Sequence, residues 1–512
     1  MKFSLFKSTY IFSIVTFFSR VLGFTRDIFF AYFLGAGIIL DVFLLSFKIP
    51  NVIRRLLSDG AFNYSFIPIL VEYKEKNTKL EIISFICILF TNLVCFLFLF
   101  LNISILFIPD FIHWFAPGFL LSYKKFVLLK NLLVIMLPFV FFISINSYFI
   151  CILNTKNRFF SGAISPIFLN VFLLVSMVIG YIFIDIKIYF LSWAILLSSI
   201  FQLIFNYIKL KKVKVNIRIS VGFFHGSMKK VIKSLIPGML GVFIFQMNNI
   251  IDIIFISFFS TGSLSWIYYS ERLIELPIGI FSVSLSTVLL PVLSSHYIKK
   301  ETYQFRSHVV SSIKIIVLLG MPIACIIFNL SKYIIVAIFL SSKFTVVDVL
   351  KTSHIIEISF VSITFMMLVK VLVATFYSRK NTIIPLKIAC FSILINLFFN
   401  FLFLNIYGHI GLIISSVITN IFNVVLLSYY LCKKYHIISL DLMIFFFKLI
   451  ISCILLSNII KLFVIPMPIW ISFSNIERFL ILIILFLSIG IIFLFISHIL
   501  NIPIKKIILL KT

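Results

Sequence analysis

Residues 26–37, RDIFFAYFLGAG, return later in the chain as residues 251–262, IDIIFISFFSTG. An acid in second place and a glycine in last place recur in both copies at a separation of 225 residues. Two further matches fall at nearly the same separation, Pro68 with Pro291 and Asn157 with Asn381. The chain is therefore expected to contain two copies of one structural unit.

The composition places most of the chain in lipid. Of 512 residues, 62% are hydrophobic and 12% are charged, whereas about a quarter of a typical soluble protein is charged. Apolar runs of 18 residues or more recur throughout, which predicts membrane-spanning helices and excludes a soluble globular fold. We expect an all-α integral membrane protein with about fourteen transmembrane helices. The spans are predicted near 9–34, 38–60, 82–108, 127–153, 159–184, 188–208, 234–260, 264–296, 308–330, 353–377, 383–406, 410–432, 443–463 and 479–500.

The cations predict the orientation of these spans. A net charge of +28 is compatible with nucleic-acid binding, but most lysines and arginines stand in every second gap between apolar runs. That bias is typical of cytoplasmic loops of membrane proteins. Both termini are therefore predicted to be cytoplasmic, and no nucleic-acid partner is expected. The gaps assigned to the cytoplasm contain Lys74, Lys76, Lys79, Lys156, Arg158, Lys209 to Lys233, Lys299, Lys300, Arg306, Arg379, Lys380, Lys433, Lys434, Lys505, Lys506 and Lys511.

The repeat predicts the domain organisation. Its period covers six helices, an even number, so both copies have the same orientation in the membrane. We expect a six-helix lobe at 1–220, a second at 221–440, and two additional helices at 441–512. Transporters built from parallel repeats bind their substrate between the halves, near the middle of the bilayer.

Three predicted spans contain charges that lipid disfavours, since a charge at the bilayer centre costs about 2.5–3.5 kcal/mol. These spans are the first two of the first copy and the second of the second copy. The acids in them are too few to pair every cation, which predicts a positively charged cavity. The charges are Arg20, Arg26 and Asp27; Asp41, Lys48, Arg54, Arg55 and Asp59; and Glu271, Arg272 and Glu275.

Arginine in such a cavity favours a phosphate or diphosphate ligand, because its planar group donates two hydrogen bonds to adjacent oxygens. Arg20, Arg26 and Arg272 are the leading candidates. For Lys48, Arg55 and Asp59, an end-of-helix position or a structural ion pair is an equal alternative. Asp252 stands alone in its span and fits either a coupling cation or an ion pair with an arginine.

Motifs for catalysis and cofactors are absent from the sequence. It contains no HExxH and no GxxxxGK[ST], and its seven cysteines form no CxxC pair. We therefore expect no enzyme activity, no metal site and no ATP site. The driving force would come from a cation gradient (Na⁺ or H⁺), the membrane potential, or consumption of the product.

Four stretches resemble the MurJ (MviN) family of lipid II flippases, within the multidrug/oligosaccharidyl-lipid/polysaccharide exporter superfamily. They are residues 17–37 (FFSRVLGFTRDIFFAYFLGAG), 41–73 (DVFLLSFKIPNVIRRLLSDGAFNYSFIPILVEY), 265–291 (SWIYYSERLIELPIGIFSVSLSTVLLP) and 371–389 (VLVATFYSRKNTIIPLKIA).

The resemblance implies a two-lobed, V-shaped fold of fourteen helices whose last two form a groove for a lipid tail. It implies that the substrate is lipid II, the undecaprenyl-diphosphate-linked glycopeptide precursor of peptidoglycan, in the bacterial inner membrane. The essential cavity arginines of the family match Arg20, Arg26, Arg54 and Arg272, and other charged cavity positions match Asp41, Lys48 and Glu275. Some members bind sodium through acids on the seventh and eleventh helices, but here only the seventh has one, Asp252.

Three alternatives remain open. A drug/cation antiporter of the same superfamily would need acids to dominate the cavity. A flippase for another polyprenyl-diphosphate glycolipid differs only in the substrate headgroup. A membrane enzyme acting on lipid diphosphates would need clustered acids for a metal. The sequence sets no oligomeric state and names no protein partner, and a monomer is favoured.

Overall fold

The computed structural model describes residues 2–56, 66–156, 158, 160–183, 187–220, 242–244, 246–435, 437 and 439–504. The chain divides into two compact units, Met1–Ser265 and Trp266–Thr512. The predicted division at residues 220 and 440 stays a prediction.

The first unit contains the helices up to the boundary. They are α1 (Lys2–Phe33), α2 (Ile38–Arg54), α3 (Ile67–Lys76), α4 (Lys79–Leu106), α5 (Ile108–Phe115), a 3₁₀ turn (Pro117–Leu121), α6 (Tyr123–Asn154), α7 (Phe160–Phe183), α8 (Lys187–Lys212) and α9 (Val242–Ile256).

The boundary between the units falls within the first turn of α10, and the second unit contains the rest of that helix. Its helices are α10 (Ser263–Pro277), a π-helical turn (Ile278–Ser282), α11 (Val283–Ile298), α12 (Thr302–Phe339), α13 (Val346–Ser378), α14 (Ile383–Tyr407), α15 (His409–Tyr435), α16 (Leu440–Phe463), α17 (Met467–Ser472) and α18 (Asn475–Ile499).

The all-helical membrane fold is confirmed. Within the described residues, eleven helical segments are long and apolar enough to cross a membrane. They coincide with eleven of the predicted spans. The other three predicted spans overlap α1, α2 and α9, so the count of fourteen stays a prediction. The short helices α3, α5 and α17 were not predicted.

Exposure to lipid explains why apolar periodicity says little about the core of this protein. Of the eleven segments, α18 is the most apolar, yet only 17% of its most apolar window is buried within the protein, against 56% for α13. Lipid tails are as apolar as leucine, so hydrophobicity alone does not drive helices together. Helix association therefore depends on close packing and on polar contacts.

In the first unit, α6 is the central helix and packs against α2, α4 and α8. Its Tyr148 is 1% exposed and donates its hydroxyl to the carbonyl of Ile86 on α4, at 2.8 Å. Its Asn146 accepts a hydrogen bond of 2.7 Å from the amide of Asn206 on α8. Such bonds supply directional contacts that apolar packing lacks.

In the second unit, α13 has the central position and packs against α11, α12 and α15. The helical span that begins with α10 is interrupted after Pro277 by the π-helical turn Ile278–Ser282. A proline removes one backbone donor and distorts the helix around it. The buried Ser282 at the end of this turn donates to the carbonyl of Met367 on α13, at 2.6 Å, which fixes the irregular segment.

The turns after α1 and α9 each contain a glycine with positive φ. The repeat equates Gly37 with Gly262, but these are not the two glycines with positive φ. Gly262 has φ 94°, whereas in the first copy the positive φ belongs to Gly35, at 69°. Gly37 is extended, with φ −169°. Left-handed backbone favours glycine because it has no Cβ. The copies thus share the need for a tight turn, at positions shifted by two residues.

Gly118 marks a close backbone approach in the first unit. Its N–H donates to the hydroxyl of Ser257 at 3.0 Å. A Cβ at residue 118 would lie 2.3 Å from the carbonyl oxygen of Ser257. Such a clash can be relieved only if the backbone at residue 118 or 257 shifts.

We expect Gly118→Ala to lower the melting temperature of the detergent-solubilised protein by several degrees, since overpacking costs about 1–3 kcal/mol. Gly490→Ala is the matched control, because no atom lies within 4 Å of its added Cβ. In a helix interior alanine is the more favourable residue, so the control should melt at or above the wild-type temperature. Equal melting curves for the two variants would contradict the close approach.

Candidate functional site

Arg26 on α1 is surrounded by polar groups of the first unit. Its Nη2 lies 2.7 Å and its Nε 3.0 Å from Oδ1 of Asp27. Its Nη1 donates to Oδ1 of Asn170 on α7 at 3.0 Å, and its guanidinium lies 5.5 Å from the ring centre of Phe30. Asp27 is 1% exposed. The cation is therefore held and largely compensated within the unit.

Arg20 lies on the same continuous helix and has a different environment. It is exposed, and among the residues that the structure describes it makes no hydrogen bond or ion pair. At 1.5 Å per residue, it lies about 20 Å along α1 from the end of the helix at Phe33. The sequence predicts that α1 crosses the bilayer, and this distance exceeds half of a hydrocarbon core about 30 Å thick.

The α2 charges fall into different environments. Arg54 is half-buried, and its Nε donates to Oδ1 of Asn51 at 2.9 Å. Arg55 is exposed, with Nη1 3.4 Å from Oε1 of Gln246 on α9. Lys48 is half-buried. Asp59 lies outside the described residues.

Asp41 has a structural contact that the sequence did not reveal. It is 3% exposed, and its Oδ2 accepts a hydrogen bond of 2.6 Å from the N–H of Gly262. Its Oδ1 accepts from the N–H and the hydroxyl of Ser265, at 2.9 and 2.6 Å. Both oxygens thus bind the first turn of α10, where free N–H groups and the helix dipole favour a carboxylate. Asp41 therefore caps α10.

The remaining predicted charges on α10 lie in the second unit. Nη1 of Arg272 and Oε2 of Glu275 are 3.0 Å apart, and the guanidinium lies 4.8 Å from the ring centre of Tyr268. Glu271 is exposed. The Arg272 side chain is 35% exposed and that of Glu275 is 59%, so the pair is accessible from outside the protein.

Of the four predicted phosphate-binding arginines, three belong to the first unit and Arg272 belongs to the second. The structure brings Arg26 to Asp27 and Arg54 to Asn51. Sequence reasoning missed Asn170, Gln246 and the backbone that binds Asp41. The available signal for Asn170 was its isolation, since it is the only amide in the apolar run SPIFLNVFLL, residues 165–174.

Of the acids on the seventh and eleventh helices that the resemblance implies for a sodium site, this chain has only the one on the seventh. Asp252 on α9 is half-buried, but α14, the eleventh predicted span, contains no acid. The buried amides of α14 instead bind each other, with Nδ2 of Asn400 donating to Oδ1 of Asn396 at 2.8 Å. A search of the described residues finds no group of three acids, histidines or cysteines suited to a metal.

Comparison with known proteins decides the family. The profile of the family described as "Lipid II flippase MurJ" matches residues 30–494. The chain belongs to this lipid II flippase MurJ family. A "Probable lipid II flippase MurJ" of Buchnera aphidicola subsp. Schizaphis graminum is 34% identical over 500 residues, covering 98% of this chain and 97% of the relative. The homologue of Haemophilus influenzae is 30% identical over 455 residues, covering 86% and 89%.

Solved structures agree with the MurJ assignment. The structure "Lipid II flippase MurJ, inward closed conformation" matches with a TM-score of 0.82 and 25% identity, over 96% of this chain and 98% of that one. An inward-facing multidrug resistance MATE transporter matches with a TM-score of 0.67 and 13% identity, over 82% and 95%. At that identity the MATE likeness shows the fold alone. The chain is thus a multi-pass protein of the bacterial inner membrane.

We expect Asp41→Ala to destabilise the MurJ homologue by about 2–4 kcal/mol, because it removes three hydrogen bonds to a carboxylate and leaves two backbone N–H groups, those of Gly262 and Ser265, without this acceptor. Thermal unfolding in detergent measures this change. Glu271→Gln is the control, since it alters an exposed acid on the helix that Asp41 caps. A melting temperature for Asp41→Ala equal to that of the control would rule out the cap.

Proposed function

We propose that this MurJ family member moves lipid II from the cytoplasmic to the periplasmic face of the inner membrane by alternating access. The observation that carries the proposal is the family match over residues 30–494, with relatives described as lipid II flippases along nearly their whole length. A flippase moves its substrate without changing a covalent bond, so the chain acts as a transporter and not as an enzyme.

The substrate explains why arginines stand in membrane helices. Lipid II carries a diphosphate between its polyprenyl tail and its sugar headgroup, and a guanidinium binds two phosphate oxygens at once. We propose that Arg20, Arg26, Arg54 and Arg272 bind the diphosphate. Arg20 supports this assignment most directly, because it is exposed and deep in α1.

The proposed role of charge compensation follows from the cost of burying ions. An arginine exposed to a low-dielectric region is unfavourable until an anion reaches it. Binding of the diphosphate would reduce this cost, and a ligand shifts a conformational equilibrium by its differential affinity for the two states. The substrate-bound protein would then convert between the inward-open and outward-open states more readily than the empty protein.

The energy source is proposed from what the sequence offers. Without a nucleotide-binding motif, the transport step would draw on the membrane potential, a proton or other cation gradient, or consumption of lipid II on the far side. The coupling cation is proposed to be Na⁺ or H⁺, and α14 contributes no acid to its binding.

Replacement of Arg20, Arg26, Arg54 or Arg272 by alanine should stop flipping and trap lipid II at the cytoplasmic face. Each charged hydrogen bond contributes about 1.5–3 kcal/mol, or roughly 10–100-fold in affinity. The measurement is labelled lipid II reaching the outer face of cells depleted of the native flippase. Lysine should not restore Arg272→Ala, because it lacks the planar group.

Arg158→Ala is the matched control, since Arg158 is exposed and stands outside the helices. It should leave flipping unchanged. Wild-type activity in all four alanine variants would reject the proposed binding residues. Normal export of lipid II in depleted cells would reject the flippase itself, and export failure limited to another polyprenyl-diphosphate glycolipid would reassign its substrate.

Both termini are proposed to face the cytoplasm, because the lysine and arginine bias is strong. A reporter enzyme that folds only in the oxidising periplasm should therefore stay inactive when fused after Thr512. The same reporter inserted after Ser342, between α12 and α13, should be active. The reverse pattern of activity would invert the proposed topology.

A further inference from the structure

Asn170 is a lone amide in the apolar run of α7, and both ends of its side chain are used. It is 6% exposed. Its Oδ1 accepts a hydrogen bond of 3.0 Å from Nη1 of Arg26. Its Nδ2 donates to the carbonyl of Ser19 on α1 at 3.1 Å. The orientation of the amide follows from chemistry, because a guanidinium only donates and a carbonyl only accepts.

The amide of Asn170 packs against the backbone of α1. Gly23 lies on the same face as Ser19, one turn along the helix, and a Cβ at Gly23 would be 3.5 Å from Nδ2 of Asn170. The amide therefore packs at van der Waals distance against this face of α1. Asn170 is thus tied to α1 at two points, a carbonyl and a guanidinium, and its own rotation is restricted.

The neutrality of asparagine matters for the charge of Arg26. Asp27 already supplies one negative charge, at 2.7 Å from Nη2. An amide oxygen fixes a third N–H of the guanidinium without adding another negative charge. A carboxylate in the same place would also accept that hydrogen bond, but it would leave the cluster with a net negative charge and repel an incoming diphosphate.

We propose that Asn170 is the positioning residue for Arg26. It holds the guanidinium, which is paired with Asp27, in one orientation on α1. Asn170 itself does not touch the diphosphate in this proposal. The inference rests on the proposed function, in which Arg26 binds lipid II.

The test is a double-mutant cycle on the full-length protein in detergent, with the dissociation constant for lipid II as the readout. Asn170→Ala should weaken binding by about tenfold in the wild-type background, the value of one charged hydrogen bond. In the Arg26→Ala background it should have no further effect, because residues that act as a unit are not additive. Equal losses in both backgrounds would overturn the proposal.

Two further variants separate positioning from folding. Asn170→Asp keeps the shape of the side chain and should weaken lipid II binding by at least as much as Asn170→Ala. Asn206→Ala removes a buried amide bond of 2.7 Å to Asn146 elsewhere in the same unit. It should lower the melting temperature as much as Asn170→Ala does, yet leave lipid II affinity at the wild-type value.

The outcomes distinguish the positioning role of Asn170 from the proposed lipid II flippase function on which it rests. Wild-type protein that fails to bind lipid II would overturn the proposed function, and the positioning role with it. Lipid II affinity that is unchanged in Asn170→Ala would overturn the positioning role alone, and affinity unchanged in Asn170→Asp would overturn the argument from the neutrality of asparagine. If Asn206→Ala loses as much lipid II affinity as Asn170→Ala, Asn170 affects binding only through the stability of the unit, and the positioning role is overturned.

Discussion

The constraint on which this structure depends is the cost of a cation in hydrocarbon. A charged side chain at mid-bilayer is unfavourable by several kcal/mol unless it meets water, a counter-ion or an anionic ligand. On α1 the protein uses two different solutions within six residues. Arg26 is compensated by Asp27 and fixed by Asn170, whereas Arg20 is left exposed. The first arrangement gives a defined geometry, and the second gives a charge that an anion can neutralise.

The same physics explains how the helices of each unit hold together. Where lipid and protein interior are equally apolar, polar contacts and close packing decide which helices meet. In the first unit these are the Tyr148 hydroxyl on a carbonyl of α4 and the amide bond from Asn206 to Asn146. In the second unit the indole of Trp266 donates to Asp348, at 2.8 Å. Each bond joins buried residues, where a low local dielectric strengthens a hydrogen bond.

The two stretches of sequence that predict an internal repeat differ in their contacts. Residues 27 and 252 are both aspartate. The residue that precedes the aspartate is Arg26 in the first copy and Ile251 in the second. Only the first copy can therefore form the adjacent ion pair that Asn170 orients. The turn glycines also differ in position between the copies. Each turn needs one residue with positive φ, and a glycine at any suitable position in the turn can supply it. Gly35 and Gly262 meet that need at positions that the 225-residue offset does not equate.

The sequence by itself determined the all-helical membrane class, the location of eleven spanning segments, the internal repeat and the family. Each depends on a property written along the chain: the length of an apolar run, the spacing of anchors, or a motif. It also singled out Arg20, Arg26 and Arg272, because an arginine inside an apolar run is conspicuous, and the family resemblance added Arg54. It did not show that Asp41 caps α10 or that Asn170 fixes Arg26. Those contacts join residues 221 and 144 positions apart, and only tertiary packing decides which distant donor reaches a given oxygen.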